Sequence, residues 1–291
     1  MNESHASSGR DARWRRVLRG HLQQVPAFRA LIRTIECRLI AEAGRLEPRL
    51  LDVGCGDGLL AAFAFDHPVA AGIDADAPRL IEARLRGRHT ICVRARAEHL
   101  PFATGAFSAV VANCVLEHVE GLDAALGEIA RVVRADGRLV FGVPGPRFGA
   151  FLWVSTQLTR VGAHRLADAY ARWFHRHSLH HHVHDAGVWR RRLEHHGFVV
   201  DRMRPYMSRR AHALFDLAHY ASVARLVRWR LTGRWVGNPD GPVNRWWERR
   251  LARHVIDDPE EGAYLFFEAH RSPRTASSSG APPSGVGTLV P

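Results

Sequence analysis

The stretch Leu50-Leu51-Asp52-Val53-Gly54-Cys55-Gly56-Asp57-Gly58 decides the fold of this chain. An apolar strand runs directly into three glycines at alternate positions, and a helix-like run follows from 59 to 65. Glycine is needed where the backbone passes close to a ligand or takes a positive φ angle. A strand, a tight glycine turn and a helix N-terminus together predict a loop that cradles a nucleotide cofactor.

A second apolar strand ends at Asp74, twenty residues after Gly54. A carboxylate at the tip of the strand beside a glycine loop can accept hydrogen bonds from both ribose hydroxyls of an adenosine. Dehydrogenases place an acid similarly, so these two features alone also fit an NAD-linked oxidoreductase. Asp52 disfavours that alternative, because dinucleotide-binding folds usually carry an apolar residue two positions before the first glycine.

Two later segments extend the pattern. One is Ala97-Glu98-His99-Leu100-Pro101-Phe102 with Gly105-Ala106-Phe107, and the other is Asn113-Cys114-Val115-Leu116-Glu117-His118-Val119 at the end of a fourth apolar strand. Taken in order, these motifs resemble the class I S-adenosylmethionine-dependent methyltransferases. They are most similar to the small-molecule branch that includes the quinone-biosynthesis methyltransferases. The resemblance is dense from 50 to 144 and thinner from 180 to 205.

This resemblance implies S-adenosylmethionine as the cofactor. In the family the glycine loop holds the methionine end, the residue matching Asp52 orients the cofactor through that loop, and the acid matching Asp74 binds the ribose. Arg96 stands where many relatives carry an acid that reaches the adenine, and a guanidinium cannot accept that hydrogen bond, so Ala97 is expected to take over adenine recognition. The implied cofactor-binding residues are Asp52, Gly54, Cys55, Gly56, Gly58, Asp74, Ala75, Ala97, Glu98, Asn113, Cys114 and Val115.

The alternation of apolar and helix-like segments predicts an α/β fold. Strands separated by helix-length connections indicate a doubly wound, mostly parallel sheet, here with strands near 50–53, 69–73, 89–93, 107–113 and 138–144. A sixth strand is predicted to begin at Phe198 and run to Arg204. The resemblance implies that Tyr264 to His270 is the antiparallel seventh strand of a Rossmann-like methyltransferase sheet.

The remaining segments are assigned by composition. Polar or Ser-, Pro- and Gly-rich sequence predicts disordered tails at 1–11 and 272–291. Between them we expect an N-terminal helical segment at 12–48 and the methyltransferase domain at 49–271. Helical insertions interrupt this domain at 146–182, after strand 5, and at 207–262, between strands 6 and 7. The first insertion follows a strand at the ligand-binding edge, so it is expected to cover the active site.

The second insertion carries much of the positive charge. Residues 201–255 hold 12 arginines against 4 acids, a net of +8, whereas the whole chain has a net charge of +12. Four of the eight tryptophans lie in the same insertion, interleaved with the arginines. A helical pair packed on the fold is the first interpretation of this composition, and peripheral contact with a membrane surface is the second. Nucleic acid is not expected as a partner.

Length and composition are those of a cytoplasmic enzyme. The 291 residues, 46% of them hydrophobic, suffice for one large domain with insertions. The four cysteines are scattered without metal-binding spacing, which favours reduced thiols over a disulfide framework. Residues 1–16 lack the apolar stretch of a signal peptide, and no run approaches the roughly 20 apolar residues of a membrane span.

Histidines supply the candidate bases. Six lie between His175 and His184, but no cysteine or carboxylate other than Asp185 accompanies them at ligand spacing, so no metal site is predicted. The family resemblance places one or two histidines of this tract against the substrate. The candidate catalytic residues are therefore His118, His180 and His182. The alternative for His118 is a capping residue or a wall of the cofactor site.

These observations predict methyl transfer from S-adenosylmethionine to a small or lipid-like metabolite, with O-methylation favoured. A hydroxyl acceptor usually needs a base, and a histidine with a pKa of about 6.5 suits that role. A carboxylate acceptor would need no base. The alternatives are an NAD-linked oxidoreductase and a non-catalytic binding protein that retains the fold.

Overall fold

A seven-stranded sheet lies at the centre of the protein, in a computed structural model that describes residues 3–272. Each strand coincides with an apolar segment of the sequence. The strands are β1 (Leu50–Val53), β2 (Val69–Asp74), β3 (His89–Arg94), β4 (Phe107–Asn113), β5 (Val133–Pro144), β6 (Phe198–Tyr206) and β7 (Tyr264–Arg271). The predicted α/β fold with a mostly parallel, seven-stranded sheet is confirmed.

The strand order is β3-β2-β1-β4-β5-β7-β6. All neighbouring strands are parallel except β7, which runs antiparallel to both β5 and β6. Asp52 of β1 lies opposite Gly72 of β2 on one side and Val111 of β4 on the other. The chain therefore leaves β1 for one half of the sheet and returns beside it as β4. Ligands bind at the carboxyl ends of the strands at such a switch point.

Twelve α-helices and one 3-10 helix surround the sheet in the described residues. Side chains cap three of the helices: Asp76 accepts from Arg79 N at the start of α4, Asp185 from Val188 N in α9, and the Ser208 hydroxyl from Ala211 N in α10. The helices are α1 (Glu3–Leu22), α2 (Ala27–Glu42), α3 (Leu59–Ala64), α4 (Ala77–Arg86), the 3-10 helix (Leu116–His118), α5 (Leu122–Val132), α6 (Phe148–Phe151), α7 (Trp153–Arg160), α8 (His164–His177), α9 (Ala186–His195), α10 (Arg209–Ala221), α11 (Val223–Thr232) and α12 (Pro242–Val255).

Two hydrophobic cores cover the two faces of the sheet. Alternate residues of a strand point to opposite faces, so Phe266 of β7 joins one core and Phe267 joins the other. The first core includes residues of α1, α2, α6, α8, α10 and α12, and the second includes residues of α5 and α9. Trp189 of α9 is fully buried in the second core against Phe141 and Phe267.

The N-terminal segment differs from the prediction. Residues 3–11, expected to be disordered, form the first turns of α1. The apolar residues Trp14, Leu18 and Leu22 recur at four-residue spacing and are buried in the first core. Packing of this stripe nucleates the helix, and adding further residues to an existing helix costs little. Residues 273–291 of the predicted C-terminal tail, together with Met1 and Asn2, lie outside the described residues.

The two segments assigned as insertions hold helices on the same face of the sheet. The first contains α6 to α8 and the second contains α10 to α12. α12 packs against α1 and α2, while α10 packs against α2, α6 and α7. The insertions and the N-terminal helices thus form one layer over the first core. Among the described residues, no helix has the length and apolar character needed to cross a membrane.

Candidate active site

A cavity of about 1150 Å³ opens at the carboxyl ends of β1, β2 and β4. The loop after β1 lines it, and further walls come from α2, from α4 and from the segment 229–239 of the second insertion. Ligand pockets usually measure about 300–1,000 Å³. This cavity therefore has room for a nucleotide-sized cofactor together with a second molecule.

Most of the predicted site residues line this cavity. Eleven of the twelve predicted cofactor-binding residues do so, as does one of the three candidate bases, His118. Gly58, His180 and His182 do not line the cavity. The predicted residues that line the cavity are Asp52, Gly54, Cys55, Gly56, Asp74, Ala75, Ala97, Glu98, Asn113, Cys114, Val115 and His118.

The three glycines of the loop have different roles. All have positive φ angles, between 55° and 75°. A Cβ atom on Gly54 would lie 2.3 Å from Val115 Cγ2, and one on Gly58 would lie 3.1 Å from Ala83 Cα, so these two glycines permit close packing. At Gly56 nothing lies within 4 Å of the Cβ position. Gly56 is therefore the position where the loop leaves open space for a ligand.

Two aspartates fix the loop from below. The Asp74 carboxylate accepts hydrogen bonds from Gly56 N and Asp76 N, both at 2.9 Å, and it lines the cavity. Each of its oxygens keeps a lone pair for a hydroxyl donor. Asp52 is buried and pairs with the buried His89, with Oδ2 and Nε2 at 2.9 Å. His89 therefore holds Asp52 beneath the loop.

The cavity wall beyond β3 carries Ala97 and Glu98. Arg96 does not reach across the cavity in place of the missing acid; its guanidinium bonds Glu98 Oε1 at 2.9 Å. Ala97 is buried, so its backbone and methyl group are what this part of the wall offers. This arrangement leaves the backbone and methyl group of Ala97, and not the Arg96 guanidinium, available for an adenine contact.

Asn113, at the end of β4, shows how well the cavity fits a polar cofactor. Asn113 is buried and lines the cavity, yet neither its side-chain nitrogen nor its oxygen has a hydrogen-bond partner within the described part of the chain. Buried amides without partners are rare, and a bound polar group satisfies them. With the open space at Gly56 and the acceptor at Asp74, the residues fit an adenosine cofactor with a polar amino-acid end.

Cys114 follows Asn113 in a strained conformation. Its φ angle of 51° is in the left-handed region, which is uncommon for residues other than glycine. The thiol donates to Glu36 Oε1 at 2.9 Å, and Tyr206 OH donates to the same oxygen at 3.1 Å. Arg33 donates to the other oxygen, Oε2, at 3.0 Å. Glu36 of α2 thereby links Cys114, just after β4, to Tyr206 at the end of β6.

The 3-10 helix after β4 and the histidine tract bind each other through hydrogen bonds. His118 Nδ1 lies 3.0 Å from Leu179 O, so this nitrogen carries the proton and Nε2 keeps its lone pair. In return, the backbone N–H groups of His181 and His182 donate to Glu117 O. His182 Nε2 bonds Val119 O at 2.8 Å. The contact of its ring with Val119 O indicates that His182 holds the two segments together.

Burial shifts the pKa values of His118, His180 and Glu117. It lowers the pKa of His118 below the usual 6.5 and lowers the pKa of His180 to about 3, so both rings are neutral at neutral pH. Burial also raises the pKa of the Glu117 carboxyl to about 8. Glu117 is 1% exposed, and its Oε2 has no hydrogen-bond partner in the described residues. Because its pKa is above 7, the Glu117 carboxyl beside His118 is mostly protonated, and therefore neutral, at neutral pH.

The same three side chains could accommodate a metal ion. One ligand atom each from Glu117, His118 and His180 lie within 4.8 Å of one another. His180 bonds His175 through its Nδ1, at 3.1 Å, which leaves its Nε2 available. The sequence predicted no metal, and that expectation stays a prediction.

Known proteins resemble this chain in its first half. The methyltransferase domain family matches residues 51–141. An uncharacterized methyltransferase of Mycobacterium tuberculosis is 38% identical over 124 residues, which are 39% of this chain and 59% of that protein. A malonyl-[acyl-carrier protein] O-methyltransferase of Legionella pneumophila is 35% identical over 104 residues, 34% of this chain and 37% of that protein. The chain thus spans less than two thirds of the length of each.

A solved structure resembles the whole fold. A putative sarcosine dimethylglycine methyltransferase from Galdieria sulphuraria superposes with a TM-score of 0.53 at 14% identity, covering 82% of this chain and 83% of that one. Together with the strand order and the domain match, this likeness identifies a class I S-adenosylmethionine-dependent methyltransferase fold. The prediction of a class I S-adenosylmethionine-dependent methyltransferase is thus borne out for residues 51–141, and S-adenosylmethionine is the cofactor that this domain match supports.

Several residues of the site could not be found from the sequence. Arg29, Arg33 and Glu36 lie on α2, where the pattern indicated only an amphipathic helix. His89 begins an ordinary strand, and only the fold brings it to Asp52. Trp229 and Trp235 were noted for their composition, but nothing in the sequence placed them on the cavity wall.

The raised pKa of Glu117 predicts a pH-dependent stability. Between an ordinary carboxyl pKa near 4.5 and about 8, the folded protein keeps a proton that the unfolded chain has lost, so stability falls as pH rises through this window. Glu117→Gln has no proton to lose. Urea unfolding should find the variant and the wild type similar at pH 4.5, and the variant more stable at pH 9 by on the order of 3 kcal/mol.

The matched control is the exposed neighbour Glu120, whose change to Gln should leave the pH dependence of unfolding unaltered. Parallel stability curves for Glu117→Gln and the wild type from pH 4.5 to 9 would contradict a neutral, buried Glu117.

Proposed function

We propose that this protein transfers a methyl group from S-adenosylmethionine to an oxygen atom of a small or lipid-like metabolite. The observation that carries the proposal is that His118 and the glycine loop line one cavity. A candidate base and a cofactor cradle thus face the same cavity. The whole cavity is large enough for both reactants, as methyl transfer requires.

The chemistry divides between the cofactor and the chain. When bound, S-adenosylmethionine supplies a methyl group that is already electrophilic, because it is attached to a sulfonium. The residues of the cavity therefore need to orient the acceptor and exclude water. His118 Nε2 is the lone pair available to take the proton of an acceptor hydroxyl, since Nδ1–H donates to Leu179 O. The lowered pKa of His118 keeps that lone pair free at neutral pH.

The relatives' names support oxygen as the acceptor atom without naming the acceptor. The Legionella pneumophila relative is an O-methyltransferase acting on a carrier-bound malonyl group, according to its name. A carboxylate oxygen of that kind needs no base, whereas a hydroxyl does. We propose O-methylation in either form, and the dependence of turnover on His118 distinguishes the two.

The two other candidate functions have less support. An NAD-linked oxidoreductase would carry an apolar residue in place of Asp52, which here pairs with His89. A non-catalytic binding protein would have no need for the unpartnered Asn113 amide or for the open space at Gly56. Both features support the proposal of a cofactor site.

We propose as a second property that the insertion 207–262 binds the surface of anionic membranes. Large apolar side chains are exposed on α11 and α12, including Leu231 at 80% and Trp246 at 44%. Arginines accompany them, and the Arg250 guanidinium lies 5.2 Å from the Trp246 ring. Exposed apolar residues beside cations are typical of proteins that bind a lipid interface. A lipid-like acceptor would be reached from such a surface.

The cofactor proposal predicts two binding defects. Gly56→Val should abolish binding of S-adenosylhomocysteine, because its side chain would fill the open space above the loop at a strained φ angle. Asp74→Ala should weaken binding by about 1–3 kcal/mol, the scale of a lost charged hydrogen bond. Titration calorimetry measures both, with the exposed Asp66→Ala as control and with NADH as the competing ligand. Unchanged affinity in both variants, or tight NADH binding, would contradict the proposal.

The base proposal concerns turnover. With a hydroxyl acceptor, found by screening metabolites for the mass gain of one methylene, His118→Gln should lower kcat by about 10²–10⁴ and leave cofactor affinity nearly unchanged. The wild-type rate should fall only at a pH below 6.5, since protonation of His118 removes the lone pair. His182→Gln is the comparison, with a smaller loss expected. Equal rates in the wild type and His118→Gln would favour a carboxylate acceptor.

The membrane proposal separates two adjacent tryptophans. Trp246 is exposed, whereas Trp247 packs against the first core. The protein should co-sediment with anionic liposomes at low salt and dissociate as salt rises, because each basic residue near the surface contributes about 1 kcal/mol that salt screens. Trp246→Ala should weaken binding at every salt concentration, and Trp247→Ala should instead lower Tm. Absence of liposome binding at low salt would contradict the proposal.

A further inference from the structure

The cavity wall contains more arginines than there are carboxylates paired with them. Six arginines line it, and four have a carboxylate within 4.0 Å. The pairs are Arg33–Glu36, Arg79–Asp76, Arg86–Asp57 and Arg96–Glu98. Within residues 3–272, Arg29 and Arg234 have no such partner; Arg29 is partly buried, whereas Arg234 is exposed.

Arg29 lies one helical turn before Arg33 on α2, and both side chains reach the cavity. Burial and the neighbouring charge of Arg33 lower the pKa of Arg29 to about 10, so it remains cationic at neutral pH. Asp57 and Glu82 act on this cation only from beyond ion-pair distance. A partly buried cation with no carboxylate within 4.0 Å favours an anion beside it. The guanidinium offers five N–H donors in a fixed plane that suits carboxylate and phosphate oxygens.

Aromatic rings from the second insertion line the same cavity. The rings of Trp229 and Trp235 stack with centroids 5.3 Å apart and an interplanar angle of 16°. Val236, which follows them, is buried at 9% exposure. These three side chains add apolar surface to the cavity wall, and they belong to an insertion and not to the domain matched by the methyltransferase family. Flat aromatic surfaces bind planar apolar groups by stacking.

We propose that Arg29, with the wall formed by Trp229, Trp235 and Val236, is the acceptor subsite, and that it takes an amphipathic acceptor with a planar apolar body and an anionic oxygen group. The anionic group is a carboxylate or a phosphate. This inference rests on the proposed function, because it names the acceptor class of the same cavity. It also adds a selection rule: neutral analogues of equal shape bind poorly.

The competing assignment for Arg29 is the carboxylate of the cofactor's own amino-acid end. The two assignments differ in which ligand loses affinity when Arg29 changes. A site for the acceptor's anion affects the acceptor and leaves cofactor binding intact, whereas a site for the cofactor's carboxylate affects the cofactor first.

The experiment uses the full chain saturated with S-adenosylhomocysteine and three probes of similar shape: benzoate, phenyl phosphate and neutral benzamide. Titration calorimetry and thermal shift measure their binding. The expected result is that at least one anionic probe binds at least 10-fold more tightly than benzamide. The comparison of benzoate with phenyl phosphate identifies the anionic group.

Variants locate the interaction. Arg29→Gln should lower the affinity for the anionic probe by about 10- to 100-fold, the range for losing a charged hydrogen-bond partner. Its affinity for S-adenosylhomocysteine should change by less than about twofold. Arg29→Lys should retain part of the affinity. Arg230→Gln removes the same charge from the exposed surface of α11 and should have no effect. Trp235→Leu should weaken all three probes, because it removes the stacking surface.

Two results would overturn the inference: equal binding of benzamide and both anionic probes, or a loss of S-adenosylhomocysteine affinity in Arg29→Gln as large as the loss of probe affinity. Failure of the proposed function is a separate outcome, in which the wild type does not bind S-adenosylhomocysteine at all. In that case the same probes are titrated alone, and their dependence on Arg29 still decides whether the subsite exists.

Discussion

The buried carboxylate of Glu36 is the contact on which the rest of the site depends. It accepts hydrogen bonds from Arg33 of its own helix, from the Cys114 thiol after β4 and from Tyr206 at the end of β6. A charged group in the core is tolerated only when its oxygens are satisfied, so these partners must hold their positions together. Glu36 thereby fixes α2 above the sheet edge, and α2 carries the arginines that face the cavity.

A second set of contacts fixes the candidate base. The 3-10 helix that carries His118 and the histidine tract after α8 are joined by hydrogen bonds in both directions. Leu179, whose carbonyl accepts from His118, has a φ angle of 54°, and Cys114 on the other side of His118 has one of 51°. Strained residues persist where surrounding contacts over-determine them, and they cluster at functional sites. Under the proposed function, the tract would therefore orient His118 and would not supply several bases.

Part of the cavity wall comes from the second insertion and not from the methyltransferase domain segment. The segment matched by the methyltransferase family ends at residue 141, before either insertion begins. The cofactor side of the cavity comes from that segment, whereas the opposite walls come from α2 and from residues 229–239. Under the proposed function, selectivity for the acceptor would come from the parts that the family match does not cover. This division matches the general rule that a shared fold positions the cofactor and that added segments choose the substrate.

The sequence by itself determined the sheet, the glycine loop and Asp74, because strand periodicity and positive-φ glycines are local requirements that a short segment displays. Eleven of the twelve predicted cofactor-binding residues accordingly line the cavity. Only the tertiary structure decided that Asp52 pairs with His89, that Glu36 binds Cys114, and that residues 3–11 continue a packed helix. It also separated His118, on the cavity wall, from His182, which bonds Val119 O. These features join residues that are distant in the chain, and their energies come from burial, which no local pattern records.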